Sequence, residues 1–174
     1  MRLNKLHNIV PIQLELVAFL LLIFIIWYTY NNFPSLPDAI PTHFNLEGTA
    51  DGWGRKGEIF TIAGTGIFTY LLITGVCVAL SLVKDPKTLI NLPNFIKDRI
   101  SSDKAEDLRN IMVRCLYAMK LLIMSLYAFL VYGSIQTALN NWSGLGYWPV
   151  LFIPLILGLA FLMVYYSLRL AYSK

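Results

Sequence analysis

Between Leu36 and Lys56 the chain gathers the side chains best able to do chemistry: His43, Asn45, Glu47, Asp51 and Lys56. An imidazole, an amide and two carboxylates supply nitrogen and oxygen donors of the kind that hold a metal ion. On that reading His43 and Asp51 would carry the metal of a membrane enzyme. Yet the spacing matches no established site, and metal sites normally combine two or more strong donors, of which one histidine is a single case. A second reading is structural. His43 and Asn45 bond to loop backbone, Asp51 forms an Asx turn with Gly52, and the glycines make the turns. A third reading makes the stretch a surface that receives an external ligand, with the five polar side chains as its contacts.

All three readings need a frame that holds the stretch still. Pro37, Pro41, Gly48, Gly52 and Gly54 interrupt it, and prolines fix backbone that glycines then turn. The expectation is an ordered loop. On both sides the chain is apolar: 57% of the 174 residues are hydrophobic and 14% charged, with a mean hydropathy of +0.61. A soluble domain carries nearer a quarter charged residues. The pattern predicts an all-α integral membrane protein, a single domain of four transmembrane helices over about 12–30, 58–83, 111–139 and 147–170. The signature loop, 31–57, lies outside and a second polar loop, 84–110, lies in the cytoplasm. The lipid bilayer is the first partner, and the net charge of +4 calls for no nucleic acid.

Trp27, Tyr28 and Tyr30 end the first helix, where amphipathic rings prefer an interface. Glu15 lies about one turn inside its start, and Lys120 about two turns deeper than Arg114 in the third helix. Both charges are costly within a bilayer unless paired, so a contact between Glu15 and Lys120 is predicted. Gly64, Gly66 and Gly75 predict a centrally packed second helix. Ser101 or Ser102 reads as an N-cap, and Pro154 as a kink in the fourth helix. Cys77 and Cys115 read as reduced packing residues. The start of the chain lacks a small-residue cleavage site and reads as an uncleaved helix. Arg55 and Lys56 are the basic residues of the outer side. Arg2, Lys5, Lys84, Lys87, Lys97, Arg99, Lys104, Arg109, Arg114, Arg169 and Lys174 sit on the other, which places both termini in the cytoplasm.

No Walker loop, dinucleotide fingerprint, zinc-protease or serine-hydrolase motif is present, and no cofactor is expected. The run Leu36-Pro37, Ile40-Pro41, His43-Phe44-Asn45, Gly48, Asp51, Gly54 and Lys56 fits the pattern LPxxIPxHFNxxGxxDxxGxK. In this it resembles a bacterial membrane domain of unknown function found at the N-terminus of Sdp-type toxin-immunity proteins. The resemblance implies a multi-pass plasma-membrane protein. In the best-known members, which continue into a further helical domain, it implies protection against a secreted toxin peptide and sequestration of a repressor. The first reading is therefore a non-enzymatic protein whose outer loop recognises a peptide or envelope component, with a cytoplasmic regulator or a second copy of the chain as further partners. The alternatives are a small transporter or channel subunit using Glu15 and Lys120, and the metal-dependent enzyme.

Overall fold

The computed structural model describes residues 11–90, 97–98 and 100–172, the side chains at 170 and 171 excepted. Arg2, Lys5, Arg99 and Lys174, which enter the orientation count, lie outside the described residues, as does the 91–96 part of the second loop.

Among the described residues four helices are long and apolar enough to cross a membrane. They are α1 (Ile12–Asn32), α2 (Ile59–Leu82), α3 (Ser102–Ala138) and α4 (Trp148–Tyr172). At about 1.5 Å per residue, the 21 residues of α1 just cover a bilayer core of about 30 Å. The 37 residues of α3 exceed it by several turns. That helix begins at Ser102, inside the predicted loop 84–110, so the end of that loop is helical and continuous with the third span.

Each terminus follows local chemistry. Asn31 and Asn32 turn their amides back onto the carbonyls of Trp27 and Tyr28, both at 2.8 Å, which keeps both side chains engaged with the last turns of the helix. Ser101 caps α3 by accepting the Lys104 N–H at 3.2 Å. At the other end of α3, Asn140 takes a positive φ of 59°. This lets Asn140 N–H reach Thr137 O and Asn141 N–H reach Gln136 O, the paired closure of a Schellman end. Pro154 lies within α4, which continues through it.

The loop between the first two spans is an antiparallel hairpin, β1 (Ala39–Phe44) and β2 (Ala50–Arg55). Pro41 and the glycines concealed it in the sequence. In a two-stranded sheet every strand is an edge, where proline is tolerated. Register shifts beside His43 take up the irregularity by bulging.

The core joins Ala18, Leu22 and Ile25 of α1, Ile59, Ala63 and Tyr70 of α2, and Met124, Ala128, Val131 and Ile135 of α3. Leu36 and Ile40 extend it into the hairpin. The expectation that α2 sits at the centre is corrected, because α3 packs against each of the other three. Of the α2 glycines only Gly66 meets a neighbour, Tyr127, whereas Gly64 and Gly75 face open space. Small residues that touch nothing give no close helix approach. Cys77 is buried, Cys115 half-buried, and both are free thiols.

Candidate functional site

The hairpin turn is built by Asn45. Its side-chain oxygen accepts the N–H of Glu47 at 3.0 Å and of Thr49 at 2.9 Å. Its backbone closes the turn through Asn45 N–H to Thr49 O and Gly48 N–H to Asn45 O. An Asx side chain of this kind replaces a backbone acceptor. Gly48 has a φ of 78°, and a Cβ there would collide with the backbone of Gly146. The Gly48 carbonyl accepts the Leu145 N–H at 2.7 Å. The turn is thereby docked on the α3–α4 connection, and Leu145, itself buried, fills the space over Gly133.

The foot of the hairpin is fastened as well. Lys56 N–H reaches Asp38 O at 3.0 Å, and the Lys56 ammonium lies 3.5 Å from the Asp38 carboxylate and 5.7 Å above the Phe33 ring. Glu58 Oε1 accepts the Arg55 N–H at 3.1 Å. A side chain at Gly54 would occupy the position of the Glu58 carboxylate. Gln136 of α3 donates to the Tyr28 hydroxyl at 2.6 Å, tying α1 and α3 beneath the hairpin.

Of the residues read from the sequence, His43 and Asp51 come together: His43 Nδ1 and Asp51 Oδ1 are 2.5 Å apart. Gly52 permits this arrangement, because a Cβ on it would sit 2.8 Å from that of His43. Both side chains are exposed, His43 at 72%. The structural reading is thus corrected in part. Asn45 does bond the loop backbone, but His43 bonds Asp51, and Asp51 is engaged with His43. Glu47 and Lys56 do not join that pair. Among the described residues no group of three or more His, Cys, Asp or Glu side chains comes together. Metal chemistry would rest on the donors of His43 and Asp51 alone.

Asp51, Trp53 and Arg55 alternate as the exposed positions of β2 and so share one face. At its foot an open cleft of about 340 Å³ is lined by Asp38, Ala39, Trp53, Gly54, Arg55 and Glu58. Sequence reasoning passed over Asp38, Trp53 and Glu58. Of these, Trp53 alone had a signal, the alternation Asp51-x-Trp53-x-Arg55, hidden by the glycines between.

A second polar cluster lies inside the bundle. Lys120 of α3 is fully buried and donates to Glu15 Oε2 of α1 and to Thr74 Oγ1 of α2 at 3.0 Å. Its ammonium also stands 4.6 Å from the centre of the Tyr70 ring and 4.7 Å from that of Tyr117. The Tyr70 hydroxyl donates to Glu15 Oε1 at 2.6 Å. Thr74 donates to the Tyr70 carbonyl at 2.7 Å, which leaves its lone pairs for Lys120. The Lys120 ammonium, both Glu15 oxygens and the Tyr70 and Thr74 hydroxyls are thereby engaged across three helices, the condition under which buried charge is tolerated. Tyr70 and Thr74, four apart and hence on one face of α2, and Tyr117, three before Lys120, were the residues the sequence reading missed.

A family described as Domain of unknown function (DUF1648) matches residues 19–67, from within α1 through the hairpin into α2. None of the curated proteins matches the chain, and none of the solved structures does. The similarity therefore falls on the hairpin and the helices that hold it, and over that segment the chain is similar to a domain without an assigned activity.

Proposed function

We propose that this chain is a non-enzymatic bacterial plasma-membrane protein of the toxin-immunity or envelope-signalling type, whose hairpin faces outward and recognises a peptide or an envelope component. The observation that carries this reading is the division of labour within the hairpin. Asn45, Gly48, Gly54 and Glu58 are taken up in fixing its backbone, whereas His43, Asp51, Trp53 and Arg55 are presented on it. A displayed face on a pre-set backbone avoids the ordering cost that a floppy loop incurs on binding. The signature Leu36–Lys56 supports the toxin-immunity class by resemblance. The excess of basic residues at the end opposite the hairpin supports the outward orientation.

Two measurements test it. Thr49→Cys should react with an impermeant thiol reagent added to intact cells, and Ser102→Cys should not; the reverse would turn the hairpin to the cytoplasm. Cells carrying the chain should survive the peptide secreted by a producing strain. Trp53→Ala with His43→Ala should lose that survival at unchanged membrane level. Survival equal to the parent's would remove the recognition role from this face.

A transporter or channel subunit is the second reading, favoured by the Glu15–Lys120–Tyr70–Thr74 cluster, since ionisable residues within a membrane commonly mark a pathway. Ion flux into liposomes containing the purified chain, abolished by Glu15→Gln, would favour it. Metal retained by the purified chain and lost with His43 and Asp51 would favour the enzyme.

A further inference from the structure

Building on the recognition reading above, we infer that the hairpin takes its ligand by strand addition. An extended, basic peptide pairs along the outer edge of β2 and places a Lys or Arg side chain in the cleft at the hairpin's foot.

The sheet has two strands, so among the described residues each strand keeps one edge without a strand partner. β1 is the strand that packs on α3, and Ile40 and Pro41 within it are buried. β2 is the outer strand. Edge strands are normally blunted by charged side chains, lysine above all, by proline or by bulges. Of these, β2 carries the charges of Asp51 and Arg55, which lie on its exposed face, and register shifts beside His43. Residues 50–55 contain neither lysine nor proline. The Arg55 N–H is already held by Glu58 Oε1, so the edge open to a new strand is the part from Ala50 to Gly54. An exposed edge of this kind is the template that strand addition uses, with backbone bonds supplying affinity and side-chain pockets supplying choice.

Charge selects the occupant. Between residues 31 and 58 the carboxylates are Asp38, Glu47, Asp51 and Glu58, against Arg55 and Lys56. The α3–α4 connection, 139–147, adds no charge. The hairpin end is thus net acidic on a chain whose overall charge is +4. Within the cleft, Asp38 and Glu58 outnumber Arg55, and the indole of Trp53, 60% exposed, offers a face that attracts a cation. Lys56 engages Asp38 at the long distance of 3.5 Å. Arg55 N–H occupies one oxygen of Glu58, leaving the other for a ligand. A basic side chain fits this set in charge, and a cleft of about 340 Å³ suits one or two side chains rather than a folded domain.

The test uses the full chain in nonionic detergent and three synthetic peptides of equal length with blocked ends. One alternates Lys with Val, one carries N-methyl groups on the amides of one edge, and one alternates Glu with Val. Calorimetry should register the Lys–Val peptide, with amide exchange slowed over residues 50–54. The N-methylated and Glu–Val peptides should bind about tenfold more weakly or not at all. Trp53→Ala should weaken the Lys–Val peptide about three- to tenfold while hairpin exchange without peptide stays as in the parent. Equal binding of the N-methylated peptide overturns strand addition, and equal binding of the Glu–Val peptide overturns the basic ligand. No binding of the Lys–Val peptide overturns both. None of these results touches the survival assay, which separately decides whether this face recognises anything at all.

Discussion

The hairpin and the Glu15–Lys120 cluster each assemble polar side chains, and they do so under opposite solvents. In the hairpin water is always available, so a side chain can be left displayed at little cost. His43 and Asp51 form an exposed pair of the kind that contributes about 0–1 kcal/mol. Inside the bundle nothing replaces a missing partner, and Lys120 is met by a carboxylate, a hydroxyl and two ring faces. Polar residues that are wholly satisfied therefore hold helices together, and polar residues left exposed on a fixed backbone are those free to meet a ligand.

This contrast is broken most sharply at Lys120. Lys120→Ala strands the Glu15 carboxylate, and removal of one partner from a buried pair costs about 3–5 kcal/mol. Folded yield and midpoint temperature in detergent should fall steeply. Glu15→Leu combined with Lys120→Met should recover most of that loss, because an apolar replacement of the whole pair is commonly neutral. A double variant as damaged as Lys120→Ala would mean that the cluster does more than pin helices.

Gly48→Ala comes next. A left-handed φ and a collision with Gly146 should cost about 1–3 kcal/mol. The loss should appear as faster amide exchange over residues 39–55 while the helices stay protected. Asn45→Ala, which removes the acceptor for two turn amides, should cost about 1 kcal/mol with the same local signature. The smallest effect belongs to His43→Ala, an exposed partner whose loss should leave exchange and midpoint temperature within error of the parent.

The helical architecture was legible because it follows from apolar length alone, and polar caps such as Ser101 mark its ends. The Glu15–Lys120 contact was legible because two costly charges lay at similar depth. What turns their meeting into a satisfied cluster was not, since Tyr70, Thr74 and Tyr117 are ordinary in an apolar helix and acquire their role from packing. The hairpin was read as ordered but not as strands, because Pro41, Gly52 and Gly54 contradict strand propensity and the pairing that overrides them is tertiary. His43 and Asp51 were singled out together, though not the bond between them, which depends on the register that sets Gly52 opposite His43.

Hairpin residues divide into those that fix the backbone and those that are displayed on it. Amide exchange over residues 39–55 of the full chain, compared between Asn45→Ala and the pair His43→Ala with Trp53→Ala, tests this most directly. Exchange should be faster in Asn45→Ala and parental in the His43 and Trp53 pair. Equal acceleration in both would show that the displayed residues also hold the hairpin together, and would contradict the division.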